Sequence, residues 1–265
     1  MSYLRRAAVF GGVYNNYLSL DAVLADARKR GATEFYCLGD VGGFGPHPDR
    51  SFPSLRSGEV LTIQGNYDHS IGHSLEDCAC GYTDPRDNAF AQVSYDYTLA
   101  NTNADNRAWL RSLPEWHRAS WGGKRVLMAH GSPRRVNEFL WESTSPDSFL
   151  EHVLEGHKAD VLFVTHTGIH WQRELSDGKT VINVGAIGRP ANDGDPRVWY
   201  SLVTIDDARG SLTNELIPVA YDHQRLADEM RTEGLPEEFA QTILTGWWTT
   251  CLEVLPAKER ARSQF

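Results

Sequence analysis

Asp40, Asn66, His130 and His166 occupy the same place in the local pattern of this chain of 265 residues. Each closes an apolar run: FYCLG before Asp40, LTIQG before Asn66, VLMA before His130 and VLFVT before His166. A carboxylate, an amide oxygen and two imidazoles suit Mn, Fe or Zn better than Ca or Mg. Short apolar runs bounded by Gly and polar residues read as buried strands. Strand-end residues of a layered α/β fold converge on one edge. The chain therefore reads as a scaffold that brings four ligands together around a metal ion. The loop after Asp40, VGGFGPHP, is crowded with Gly42, Gly43, Gly45, Pro46 and Pro48, as an abrupt strand end requires.

The elements that must hold these ends are legible from periodicity. Ala7 to Phe10 reads as a buried strand. A helix follows over about Ser19 to Arg30, with Ser19 as N-cap, Leu20, Val23, Leu24 and Ala27 at i, i+3, i+4 and i+7, and Gly31 as the stop. Phe35 to Leu38 is the next strand, so the chain opens with a β-α-β unit and parallel strands. Further strands are expected at Val60–Ile63, Arg125–Met128, Val161–Val164, Thr180–Asn183, Val198–Ile205 and Ser211–Pro218, the last two as a hairpin. Residues of about 70 to 120 read as an irregular insertion with helices over Asn88–Tyr97 and Ala104–Leu113. The pattern changes after residue 220. Two short helices, DHQRLADEMRTEG and LPEEFAQTILTGWW, give residues 221–265 the look of a C-terminal helical appendage on a domain of residues 1–220. That appendage packs on the core or on a partner, a second copy of the chain included.

An apolar fraction of 41% suffices for a real core. A net charge of −9 argues against nucleic acid as a partner, since such binding rests on neutralising phosphates. No run reaches the roughly 20 apolar residues of a membrane span. The opening MSYLRRAAVF lacks the apolar stretch of a secretory signal, which makes the cytoplasm the expected location. Four cysteines do not suggest a disulfide framework. Cys37 reads as core, and Cys78, Cys80 and Cys251 as reduced structural thiols unless the fold gathers them near a metal.

The order LGDVGGFGP, QGNYD, MAHGSP, VTHTG and NVGAIGRP resembles the calcineurin-like metallophosphoesterases, in particular their compact bacterial and archaeal phosphodiesterases. The resemblance covers residues 6 to 205. It implies an α/β fold, a four-layer α-β-β-α sandwich of two mixed sheets flanked by helices. It also implies metal-dependent hydrolysis of a phosphate ester at the strand ends. It departs from the family at one metal site: the family's opening Asp-x-His is here Gly12 and Tyr14, and the second His of its GH-x-H is here Gly168. By the resemblance, one site has lost its three non-bridging ligands, while Asp40, Asn66, His130 and His166 make up the other. One divalent transition metal is thus expected. A second could return only through Tyr14, as a phenolate, and His170, which would share a face with Gly168 on an extended segment.

The family often has a His between its GN and D; here it is Tyr67, a proton donor but a poor base. His69 could take the proton role, and Asp68 matches the family's companion carboxylate, which orients its neighbours. Arg134 and Arg135 follow HGSP directly and suit a phosphate's paired oxygens. Arg189 and Asn192 follow the loop that closes the family's site, and Tyr14, Asn15 and Asn16 stand at the altered first motif. The expected function is a metal-dependent phosphatase or phosphodiesterase acting on a small phosphorylated substrate. The alternatives are a non-catalytic scaffold of the same fold, or an iron or manganese enzyme of another reaction.

Overall fold

The computed structural model describes residues 4–176 and 178–261; Asp177 and the ends of the chain, including residues 262–265 of the C-terminal segment, lie outside the described residues. The first strand, β1 (Leu4–Phe10), is buried on both faces over its last four residues. Helix α1 (Tyr17–Lys29) carries the chain back to β2 (Glu34–Cys37), which pairs parallel to β1. Leu20, Val23, Leu24 and Ala27 are buried as their spacing predicts. The cap is not Ser19 but Asn16, whose side chain accepts from the Ser19 N–H at 3.0 Å. The helix begins two residues before Ser19, so Ser19 falls at the third helical position and becomes the donor to the cap.

After the short α2 (Phe52–Leu55), β3 (Val60–Thr62) joins β2 in parallel. Helices α3 (Asn66–His73), α4 (Pro85–Asn101) and α5 (Ala104–Ser112) follow. The second sheet collects β4 (Trp116–Trp121), β5 (Lys124–Ala129), and, beyond α6 (Asp147–Gly156), β6 (Val161–Val164), β7 (Trp171–Glu174) and β8 (Thr180–Asn183). The chain then returns to the first sheet with the hairpin β9 (Val198–Asp206) and β10 (Ser211–Val219). It ends in α7 (His223–Thr232), α8 (Glu237–Thr245) and α9 (Ala257–Ala261).

The strand orders are β10-β9-β1-β2-β3 and β4-β5-β6-β8-β7. Both sheets are mixed: β1, β2 and β3 are parallel in one, and β5, β6 and β8 in the other. Alternation along each strand assigns residues to layers. Ala7, Val9, Leu38 and Ile63 meet Trp121, Met128, Phe163 and Ile182 between the sheets. Ala8, Phe10 and Cys37 face outward onto α1, and Leu127 and Leu162 onto α6. The result is the expected four-layer sandwich. The parallel strands of both sheets deliver their C-terminal ends to one edge, where α7 and α8 pack against Tyr14, Phe44 and Ala186 of the edge loops. No helix among the described residues is long and apolar enough to cross a membrane.

Candidate metal centre

Two close approaches of backbone build the centre. Gly39 has φ +86, and a Cβ on it would run into the backbone of Gly65; a Cβ on Gly65 would strike the Asp40 carboxylate. Glycine at both positions lets the ends of β2 and β3 touch, which brings Asp40 beside Asn66. Asp40 itself is left-handed, with φ +55. Asp68 holds it there: its carboxylate accepts the N–H groups of Asp40 (2.7 Å), Val41 (2.8 Å) and Gly65 (2.8 Å). The same contact is the N-terminal cap of α3, with Asp68 at its third position. Asn66 is thereby fixed as the first residue of that helix. The second sheet supplies the imidazoles. His130 follows β5 and donates from Nδ1 to the Leu38 carbonyl at 2.7 Å, a bond between the sheets that leaves Nε2 facing Asp40 Oδ2 (3.2 Å) and His166 Nδ1 (3.1 Å). His166 follows β6 in a left-handed conformation, φ +47.

Asp40, His130 and His166 are all buried, and their ligand atoms lie within 4.8 Å of one another, the one such group of His, Cys, Asp and Glu among the described residues. The Asn66 amide points its nitrogen at the Cys78 carbonyl (2.8 Å) and leaves Oδ1 buried without a partner. A buried carbonyl oxygen without a donor is costly, and a cation at this place satisfies it. The donor chemistry agrees with a transition metal. Burial, and then the neighbouring His130, hold His166 down at about 3, so its imidazole is neutral and offers a lone pair. Burial works against the charge on His130, but the Asp40 carboxylate outweighs it and the ring stays raised above its ordinary value. Burial, and then the charge on Asp40, raise Asp68 to about 6.

Asp40, Asn66 and His166 open onto a cavity of about 40 Å³. By the same measure a water needs roughly 10–15 Å³, so an ion and a few waters fit and a large ligand does not. Tyr14, Phe44, Tyr67, Tyr82, Phe90 and Phe239 make the walls mostly aromatic. Five lining residues, Tyr14, Asp40, Phe44, His166 and Cys251, are non-glycine residues with positive φ. Such conformations cost on the order of 1–3 kcal/mol each, and they gather where a site is held rigid.

The remaining predicted residues divide clearly. Tyr67 and Arg189 line the cavity with Tyr14. Burial pushes the Tyr14 and Tyr67 hydroxyls well above the ordinary phenol value, so without a metal both are neutral donors. His170 stacks on Trp199 at 4.1 Å and does not line the cavity; residues 167–170 turn instead of running extended, so the expectation that it shares a face with Gly168 fails. His69 is exposed and stacks on His73, because two steps along α3 rotate a side chain to the opposite face from Tyr67. Arg134 and Arg135 are also exposed. With His69 they line a separate surface depression that His130 borders, and the Arg134 guanidinium lies over Phe149. Asn16 is consumed by capping α1 and by donating to the Gly188 carbonyl. Asp68 is consumed by its three backbone donors. Cys78 and Cys80 are joined in a disulfide, not reduced as expected, and Cys80 and the buried Cys251 thiol reach the cavity wall. The walls Tyr82, Phe90, Phe239 and Cys251 had no signal in the sequence beyond being aromatic or thiol, since they come from the insertion and the C-terminal segment.

The family model of the calcineurin-like phosphoesterase superfamily domain matches residues 7–208. The chain is 26% identical over 253 residues to an uncharacterized protein of Methanocaldococcus jannaschii, an alignment that covers 90% of this chain and 97% of that one. Its fold is similar to the crystal structure of a hypothetical protein from Pyrococcus horikoshii OT3, with a TM-score of 0.75 at 23% identity, covering 92% of this chain and 99% of that one. It is also similar to that of a metallophosphoesterase from Sphaerobacter thermophilus, with a TM-score of 0.70 at 24% identity, covering 92% and 100%. The two structural likenesses speak to the fold alone.

Proposed function

This chain belongs to the calcineurin-like phosphoesterase superfamily, and on that premise we propose that it hydrolyses a small phosphate ester with one divalent transition metal held by Asp40, Asn66, His130 and His166. The observation that carries this reading is the buried, partnerless Asn66 Oδ1 beside the Asp40–His130–His166 group. A divalent ion at this place supplies Lewis acidity toward a phosphoryl oxygen and toward water.

The chain's own residues do the rest. Asp40 is oriented through Oδ1, which accepts from the Tyr67 N–H at 3.0 Å, and its other oxygen is left to the ligand group. His130 is locked by the Leu38 carbonyl, as a metal-binding imidazole usually is by its second nitrogen. The Tyr67 hydroxyl donates to Ser94 Oγ at 3.2 Å and keeps its proton, so it can serve a leaving oxygen as a donor and not as a base. The aromatic walls lower the local dielectric, which strengthens each polar contact beside them. The small volume favours a small ester.

The test is a phosphomonoester and phosphodiester screen of the full chain loaded with Mn, Fe or Zn. Turnover that is abolished by a chelator and by His166→Ala supports the hydrolase. Unchanged turnover in His166→Ala overturns it, and bound metal with no turnover on any ester favours a scaffold.

A further inference from the structure

We propose that Arg189 is the fixed cation of this site, receiving the phosphoryl oxygens in the cavity that the metal ligands share, so that a tetrahedral oxyanion is held by one metal ion and one guanidinium. The inference rests on the hydrolase reading for its substrate and adds the residue that does the work of a second positive centre.

Arg189 is 6% exposed and lines the same cavity as Asp40, Asn66 and His166. Its Nε has no hydrogen-bond partner. The groups that face it electrostatically are the Tyr14 and Tyr82 hydroxyls and the Cys251 thiol, and burial raises all three, which keeps them neutral. Among the described residues no carboxylate forms an ion pair with it. A buried charge without a counterion is strongly unfavourable. A fold keeps one where an anion is to arrive.

The guanidinium is also held for the purpose. It lies 3.5 Å from the centroid of the Trp248 ring and 5.7 Å from that of Tyr14, cation–π contacts that hold it beside the cavity while Nε stays without a partner. Trp248 is pinned in turn, by Nε1–H to the Pro190 carbonyl (2.7 Å) and by its N–H to Asn192 Oδ1 (2.9 Å). Gly168, at φ +73, makes room for this stack: a Cβ there would come within 3.2 Å of Trp248 and 3.3 Å of Arg189 Nη2. Gly12 does the same for Tyr14, whose ring carbon Cζ lies 3.0 Å from where a Cβ would stand. The two glycines that replace ligands of the resembled second site are thus the positions over which Tyr14, Arg189 and Trp248 pack. A larger ligand side chain at either one would have to displace this packing.

The test uses the full chain loaded with Mn and titrated calorimetrically with inorganic phosphate. A charge-assisted, two-donor contact is worth roughly 10- to 100-fold in affinity. Arg189→Met, which keeps an apolar chain between the two rings, should lose that factor for phosphate while binding Mn as the parent does. Arg189→Lys should retain Mn binding and lose part of the phosphate affinity, because an ammonium cannot present two parallel donors. Equal phosphate affinity in the parent and Arg189→Met overturns the inference, as does loss of Mn binding in parallel with phosphate. If Arg189→Met does not fold, Arg189→Lys decides: phosphate affinity equal to the parent overturns it. A parent that binds phosphate through Arg189 yet turns over no ester leaves this anion site standing and removes the hydrolase reading.

Discussion

Replacing Asp68 with Asn should damage the metal centre from outside the cavity. The Asp68 carboxylate is buried and accepts three backbone N–H groups, from Asp40 and Gly65 on one oxygen and from Val41 on the other. An amide of the same shape can keep one oxygen as acceptor, but it turns an N–H₂ group toward the donor or donors on the other side. At least one buried backbone donor is then orphaned, which costs about 1–3 kcal/mol. Asp68→Ala orphans all three and should cost more, a serious fraction of the roughly 5–15 kcal/mol that holds a domain together. The larger consequence is local. Asp40 sits at φ +55, a conformation that costs on the order of 1–3 kcal/mol for a residue with a side chain, and the clamp is what holds it there. Partners of this kind behind a metal ligand typically change metal affinity by about 10- to 100-fold. Urea unfolding of the metal-free protein and calorimetric titration with Mn measure both effects on Asp68→Asn. A third reading comes from pH. The folded carboxyl stands at about 6, above its ordinary 3.8, so the folded chain keeps a proton that the unfolded chain releases between those values. Lowering the pH through that window should therefore stabilise the metal-free parent, and Asp68→Asn should lose that gain. Unchanged stability together with unchanged Mn affinity would refute the clamp. A fall in turnover alone, with Mn affinity intact, would make Asp68 a participant in proton transfer instead.

Two further outcomes follow from the same geometry. The His130 ring is raised above its ordinary value and must be free of its Nε2 proton to bind a cation, so Mn affinity should rise from pH 6 to pH 8; an affinity that is flat over this range contradicts the assignment of His130 as a ligand. Phe239→Ala should destabilise the protein by about 3–5 kcal/mol, because its buried ring packs 4.6 Å from Phe44 and 5.9 Å from Phe90 and also walls the cavity. Thermal unfolding of this variant at the parent's level would mean that α8 does not close the site.

The sequence alone determined the four candidate residues and the strands that deliver them. A residue that ends a buried strand needs no tertiary information to be recognised, because the apolar run, the following glycine and the polar donor are adjacent in the chain. For that reason Asp40, Asn66, His130 and His166 could be named and the buried face of α1 placed, while the two-sheet sandwich was expected from the resemblance that the ordered motifs carry. Weaker local signals were missed. Strand β4 is an edge strand with mostly solvated side chains, so its pattern is not apolar. Helix α3 starts at once on Asn66, and its only mark is Asp68 three residues after Gly65. The tertiary structure alone decided which charged groups face the ligands. Arg134 is four residues from His130 and His69 three from Asn66, yet loop and helix geometry turn them outward. Trp248 and Cys251 lie far from Asp40 in the chain, and the segment after α8 brings Cys251 to the cavity wall and Trp248 onto Arg189. Periodicity records which face of an element is apolar; it carries no record of which distant segment will cover that face.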